Sequence, residues 1–443
     1  MQSCCATCPT ARSRWACRPG SSARHEPSHR CAADPRREDA MRILSISAFY
    51  PPYVIGGAEL CAHSLTYWFA ANGHEAAVLT AAPMVEHESW ATPQDGYTLY
   101  RVNTPHIYPV FRASQAPGWK KPIWHAQDHY DPRNEAMFEK VIDDFKPDFI
   151  HIHWISGLGY NGLKVIGRHD IPTAITLHDL AYACLRTTMF RGSDECVEQC
   201  TNCRLSSKVK MGFLREIPRL GFISPSQSNL DTISSLLPIE DYPRFHILNP
   251  NHYPAPRVTH APAGKVRLLF VGRLEKTKGI NFVLELLDQL SATYDFHLTV
   301  LGKGPEDHAL RATYGERPWL TMKGHVPQQI VADIMAESDL LVVPSLWAEN
   351  SPGVVFQALV NALPVMGSDK GGLPELIEPG VNGMLVPPGD AEQWRAAIVD
   401  VLDRPEQLLV LREQAAKQTE RYDYDGLAKQ MIGAFEQIAA SKR

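Results

Sequence analysis

The sequence predicts an α/β protein made of two Rossmann-like domains, and three observations carry that prediction. From Met41 onward, short β-branched or Leu-rich runs alternate with helical patterns, which is how a parallel sheet covered on both faces reads. The runs fall into two sets separated by NPNHYPAPRVTHAPAG at 249–264, a Pro-rich stretch without periodicity that reads as an interdomain linker. A length of 443 residues holds two or three domains, each large enough to bury its own core.

The first set of strands is predicted at 42–48, 75–80, 98–102, 148–153, 173–177, 221–224 and 245–248. The second is at 267–272, 297–302, 320–323, 340–343, 365–367 and 384–386. Leu60, Cys61, Ser64, Leu65, Trp68 and Phe69 recur on one helical face, and Asn72-Gly73 stops that helix. A last helix is predicted at 424–440, after the final strand. These readings assign 41–250 to an N-terminal domain, 265–420 to a C-terminal domain, and 421–443 to a helical tail returning to the first domain.

The first forty residues read differently. They hold five of the ten Cys, seven Arg and no Lys, without apolar periodicity or the hydrophobic core of a signal peptide. The expectation is a disordered leader or translated upstream sequence, with Met41 as the working start. Hydrophobic residues are 44% and charged residues 21% of the chain, which excludes a disordered polymer or a coiled coil. A net charge of −5 offers no overall field for nucleic acid, and no run reaches the roughly 18 apolar residues of a membrane span.

Ligands of open α/β sheets sit at the carboxyl ends of the strands, so motifs that follow strands should meet in one cleft between the domains. In FVGRLEKTKGI, Gly272 ends a strand and Arg273 and Lys278 follow in the turn. Two cations there can clamp a diphosphate, Arg as a fork and Lys as a point charge, although either can equally be a solvated surface cation. In DLLVVPSLWAENSPGVVFQALV, Ser351 and Pro352 read as N-cap and first helical position before Gly353, Val354 and Val355. The free N–H groups and dipole of that helix start suit phosphate, with Glu349 just before it and Gln357 one turn in.

With these blocks the chain resembles the family 4 retaining glycosyltransferases of GT-B fold, whose second domain carries GR-x4-KG, a Gly-x-Gly turn and Glu-x7-Glu. Here the matching residues are Gly272-Arg273 with Lys278-Gly279, Gly302-Lys303-Gly304, and Glu349-x7-Gln357. The resemblance spans Met41 to the C-terminus. It implies two domains facing across a cleft, the first on the acceptor side and the second binding a nucleotide-sugar donor. Arg273 and Lys278 would then hold the donor diphosphate, Glu349 the sugar, and position 357 the ribose, with the base near Gly324-His325-Val326. Gln357 departs from the family Glu: an amide accepts at one end and donates at the other, where a carboxylate accepts at both.

The resemblance also carries Gly56 and Gly57 to the donor phosphates and His178 to the donor sugar. His178-Asp179 ends one predicted strand, while His151 and His153 end the strand before it, open to packing or acceptor roles. The implied reaction moves a hexosyl group from a UDP- or GDP-sugar to a hydroxyl of a glycan or lipid-linked glycan, retaining the anomeric configuration. The leaving phosphate would take the proton, and no catalytic cofactor is implied. Two other classes stay open: a nucleotide-sugar epimerase of the same fold, and a non-catalytic nucleotide-sugar-binding subunit.

Cys184, Cys196, Cys200 and Cys203 are spaced Cys-x11-Cys-x3-Cys-x2-Cys. Four thiolates in one loop suit a structural zinc, with two disulfides, free thiols or an iron–sulfur cluster as alternatives. Next, Arg204, Lys208, Lys210, Arg215 and Arg219 surround Val209, Met211, Phe213, Leu214 and Ile217. That stretch is either an ordinary surface helix or a peripheral contact with an anionic membrane surface. The expected location is the cytoplasm, including the inner face of the membrane.

Overall fold

The computed structural model describes residues 40–83, 89–113, 115–191, 194–260 and 264–441. The leader apart from Ala40 lies outside the described residues. The strands are β1 (Arg42–Ser47), β2 (Glu75–Ala81), β3 (Ser89–Pro93), β4 (Tyr97–Val102), β5 (Phe149–Trp154), β6 (Thr173–Thr176), β7 (Phe190–Arg191), β8 (Asp194–Glu195), β9 (Leu220–Ser224) and β10 (Arg244–His246). There follow β11 (Val266–Val271), β12 (Phe296–Leu301), β13 (Leu320–Gly324), β14 (Leu340–Val343), β15 (Val365–Ser368) and β16 (Gly383–Val386).

They form an eight-stranded sheet ordered β10-β9-β6-β5-β1-β2-β4-β3 and a six-stranded sheet ordered β13-β12-β11-β14-β15-β16. Every pairing in the two large sheets is parallel except β3 with β4. The central strands of both sheets are buried on both faces, and alternate residues feed opposite cores. In β1, Leu44 and Ile46 enter a core with Phe138 and Val141, while Ile43 enters one with Leu65 and Phe69. In β11, Leu268 and Phe270 face Leu284 and Trp394, and Leu269 faces Phe356 and Leu359.

The Tyr424–Ala440 helix follows the second sheet in sequence and packs on the first. Met431, Phe435 and Ile438 join the core of Ile43 and Phe149. Phe435 stacks on Phe149 with ring centroids 4.4 Å apart. A Cβ on Gly221 would lie 2.5 Å from Ile438, so the absent side chain in β9 is the seat for the helix. Trp68 Nε1 donates to Asp425 Oδ1 at 2.8 Å and fixes the start of the same helix.

The sequence reading lacked β3, an antiparallel edge strand of sequence SWATP, and the two-residue strands β7 and β8 inside the cysteine loop. Such short strands carry too few residues to show a period.

Candidate active site

Close backbone packing shapes the second-half wall. Gly279 has φ +69°, and a Cβ there would stand 1.9 Å from Pro344 O. Gly302, at φ +128°, would meet Gly272 O at the same distance, and a Cβ on Gly304 would lie 2.3 Å from Leu274 O. These three glycines are therefore required by the fold itself. Gly302 N–H also donates to Gly324 O at 2.8 Å, and Gly272 N–H to Leu301 O at 3.0 Å, which aligns the strand ends β11, β12 and β13. Val326, just beyond β13, is half-buried against the core of Leu341 and Phe356.

Lys278 is carried by these turns to Glu349, with Nζ 2.7 Å from Oε1. The same oxygen accepts from Ser345 Oγ at 2.6 Å and Trp347 Nε1 at 2.9 Å, and the Lys278 ammonium lies 4.8 Å from the Trp347 ring centroid. Glu349 is 6% exposed, an ionised group stabilised by three donors in a partly dry place. Gly372 N–H donates to Glu349 O at 2.7 Å and pins its loop. Arg273 is not drawn into this cluster: its guanidinium is half-exposed and pairs with Glu275 at 3.3 Å.

The helix start differs from the sequence reading by one residue. Pro352 occupies the N-cap and the helix runs Gly353–Val360. Val355 N–H donates to Pro352 O at 2.9 Å, so it is not available to a phosphate as expected. Gly353 and Val354, the first two helical residues, have no carbonyl a turn back to bond within the helix. Gln357 is a second correction. The resemblance puts it against the donor ribose, yet it is 3% exposed and its Nε2 is buried without a hydrogen-bond partner.

On the first-half wall, Gly56 caps the Gly57–Ala71 helix and donates its N–H to Glu59 Oε2 at 2.9 Å. Burial raises the Glu59 carboxyl above its ordinary value. A Cβ on Gly57 would meet nothing within 4 Å, and one on Gly56 only Glu59 at 3.8 Å, so packing does not dictate these two glycines. His178 follows β6, and its Nε2 lies 3.0 Å from His153 Nδ1. His151 is wholly buried, bonded to Thr176 Oγ1 at 2.7 Å, which excludes it from contact with an acceptor. Burial pushes the Asp179 carboxyl up to about 7, and the ammonium of nearby Lys210 down to about 8. Lys210 Nζ donates to Ala181 O at 2.7 Å.

Side chains from each half lock the two walls together. Asn350 Nδ2 donates to Leu177 O at 2.8 Å, and Ser226 Oγ donates to Asn350 Oδ1 at 2.7 Å. Glu375 accepts the N–H groups of Gln227 and Ser228, each at 2.8 Å, a favourable charge at the start of the Gln227–Leu236 helix. These contacts set His178 and Glu349 in one cavity of about 420 Å³, lined also by Asp179, Glu195, Trp347 and Asn350. Gly56, Gly57, Arg273, Lys278, Val326 and Gln357 do not line it. Asn350 was missed in the sequence because its partner is 173 residues away.

The cysteine loop forms another side of this cavity through Thr187, Met189 and Cys196, and Glu195 reaches Lys370 of the second half at 2.8 Å. Cys184 and Cys203 are buried together with Met189, and Cys196 packs against them. Arg186 N–H donates to Cys184 Sγ at 3.3 Å, and burial pushes the Cys203 thiol up to about 11. Among the described residues, the trios of metal-capable side chains with ligand atoms within 4.8 Å are Cys61–His153–His178 and Glu139–Asp143–His169. The loop cysteines are gathered, but less tightly than that. Beyond the loop, the Thr201–Leu214 helix and the turn after it bury Met211, Phe213, Leu214 and Ile217 in the first core. The apolar face that the membrane alternative would use is therefore mostly committed to the protein.

Parallel sheets facing one another, with the candidate residues at their carboxyl ends, define a GT-B glycosyltransferase. Residues 55–195 match the family described as Glycosyltransferase Family 4, and residues 265–404 the family Glycosyl transferases group 1. The chain belongs to the family 4 glycosyltransferases. It is 28% identical to the glycogen synthase of Mycobacterium tuberculosis over 408 residues, 87% of this chain and 91% of that protein. Among solved structures it resembles sucrose-phosphate synthase from Thermosynechococcus elongatus, with TM-score 0.70, 18% identity, and coverage of 90% of this chain and 99% of that one. Anabaena HepE in complex with UDP and glucose matches with TM-score 0.63 and 17% identity, covering 90% of this chain and all of that one. No helix among the described residues is long and apolar enough to cross a membrane.

Proposed function

We propose that the protein transfers a hexosyl group from a nucleoside-diphosphate sugar to a hydroxyl of a growing glycan, with retention of configuration. The observation that carries this reading is the cavity that takes His178 from one half and Glu349 from the other. A sugar held there would meet an ionised acceptor, Glu349, and an imidazole, His178. The diphosphate would lie toward Lys278, Arg273 and the N–H groups of Gly353 and Val354, where positive charge offsets the charge that develops on the leaving group. Lys278 is held by Glu349, so a bound diphosphate would compete for an ammonium already in position.

The relatives support the chemistry. Their names include a glycogen synthase and a phosphatidyl-myo-inositol mannosyltransferase, and HepE is seen with UDP-glucose. UDP-sugars and GDP-sugars are therefore the donors to test. Release of nucleoside diphosphate in the presence of glycan acceptors, with the anomer of the product read by NMR, tests both the transfer and its stereochemistry. Gln357 favours a second reading, a binding subunit without turnover, because its buried amide lacks the paired acceptors of a carboxylate. Saturable donor affinity without release of diphosphate would support that reading.

For the cysteine loop the proposal is a structural zinc held by Cys184, Cys196, Cys200 and Cys203. Its support is the spacing of the four and the shared packing of Cys184, Cys196 and Cys203, with Cys200 exposed beside them. Four protein ligands would close the metal sphere and leave it no part in the reaction.

A further inference from the structure

His178 has one ring edge already engaged. Its Nε2 faces His153 Nδ1 at 3.0 Å, with the rings nearly parallel and their centroids 5.3 Å apart. Burial pushes the His178 imidazole down to about 3 and holds His153 well below its ordinary value, with His151 and His178 adding to the effect on His153. Both rings are therefore neutral at pH 7. Two neutral imidazoles in contact must be one donor and one acceptor.

The direction of that bond follows from the far side of His153. Its Nε2 is buried and meets no hydrogen-bond partner. A proton there would leave a buried N–H unsatisfied, whereas a proton on Nδ1 is donated to His178 and leaves only a lone pair unmatched. Buried N–H groups without an acceptor are the rarer outcome. The surroundings hold the His153 ring still. His151 lies 4.0 Å away by centroids and is tied to Thr176. Cys61 places its sulfur within 4.8 Å of the two imidazoles, and burial keeps that thiol protonated.

We propose that His153 is a positioning residue that donates from Nδ1 to His178 Nε2, fixing His178 with its proton on Nδ1 as a hydrogen-bond donor to the bound sugar. The proposal rests on the reading that His178 touches the donor sugar. With Nε2 occupied, Nδ1 is the nitrogen left to serve a ligand, and the fixed tautomer means that nitrogen donates and does not accept. His178 then orients a sugar hydroxyl and is not the group that takes a proton.

The test is 15N NMR of the full chain labelled at histidine, with the His178 signals identified by their loss in His178→Asn. The expected result at pH 7 is a protonated, pyrrole-type Nδ1 and an unprotonated, pyridine-type Nε2. A proton on Nε2, or an imidazolium, overturns the proposal. His153→Phe keeps an aromatic ring and removes the donor; it is expected to release His178 into mixed tautomers and to lower kcat for UDP release from UDP-glucose about tenfold, with KM little changed. His153→Gln, whose amide can donate, is expected to recover most of both. Identical His178 shifts in the wild type and His153→Phe would also overturn the proposal. A wild type that releases no nucleoside diphosphate from any UDP- or GDP-sugar would count against the donor reading, while the NMR shifts would still decide the role of His153.

Discussion

Gln357 shows how far a single residue can be read from a motif. The spacing from Glu349 located it, but only the fold shows that it is buried and that its amide nitrogen lacks a partner. An unsatisfied buried donor costs about 1–3 kcal/mol, so Gln357→Met, similar in size and without the amide, should raise the melting temperature of the ligand-free protein while weakening donor binding. Gln357→Glu should lower the melting temperature, because the position would bury an unpaired carboxylate; calorimetry on the three proteins decides both. Arg273 and Lys278, equivalent in the sequence, separate in the structure. Each replaced by Ala should weaken nucleoside-diphosphate binding by about 1.5–3 kcal/mol, the range for hydrogen bonds to charged groups, and leave nucleoside binding nearly unchanged. Only Lys278→Ala should also lower the melting temperature, since it removes a partner of Glu349. Asp179 adds a pH dependence. Its carboxyl titrates at an ordinary 3.8 when unfolded and at about 7 when folded, so the folded protein keeps a proton that the unfolded chain has lost. That stabilising contribution is full below pH 4 and disappears as pH rises to 7. Urea unfolding at several pH values should show Asp179→Asn lacking this decline.

Among the elements, those legible in advance were the ones with enough residues to display a pattern. Arg42–Ser47 (RILSIS) and Val266–Val271 (VRLLFV) are rich in Ile, Leu and Val and largely buried, and the sequence places them to within a residue. Ser89–Pro93 was not legible, because an edge strand need not be apolar on both faces. The Thr201–Leu214 helix was read as amphipathic, but its period could not say whether the apolar side meets a lipid or a core; Met211, Phe213 and Leu214 meet the core. The cysteine loop was legible only as a spacing, and nothing local told that Glu195 would reach Lys370 or that Thr187 and Met189 would line the cavity. If zinc staples this loop, reduced protein should contain about one zinc per chain, lost in the double variant Cys200→Ser, Cys203→Ser. Elemental analysis that finds no zinc in the wild type rejects the proposal.

At the scale of the whole molecule, the relation between the two sheets was the part least visible in the sequence. The motifs implied a shared cleft, but the contacts that build it join residues more than a hundred positions apart, such as Asn350 with Leu177 and Glu375 with Gln227. The Tyr424–Ala440 helix, packed on the first sheet after the chain has completed the second, also joins the halves, with Phe435 in a core of the first and Leu427 in a core of the second. Through this arrangement His178 and Glu349 meet around one cavity, and the central claim is that this cavity holds a sugar being transferred. The most direct measurement is nucleoside-diphosphate release from UDP- and GDP-sugars, with glycan acceptors present, by the wild type and Glu349→Gln, alongside donor affinity for both. The account predicts turnover by the wild type with at least one donor, and a Glu349→Gln variant that still binds that donor but loses most of its turnover. Saturable donor binding by the wild type with no diphosphate released, or full turnover by Glu349→Gln, would contradict it.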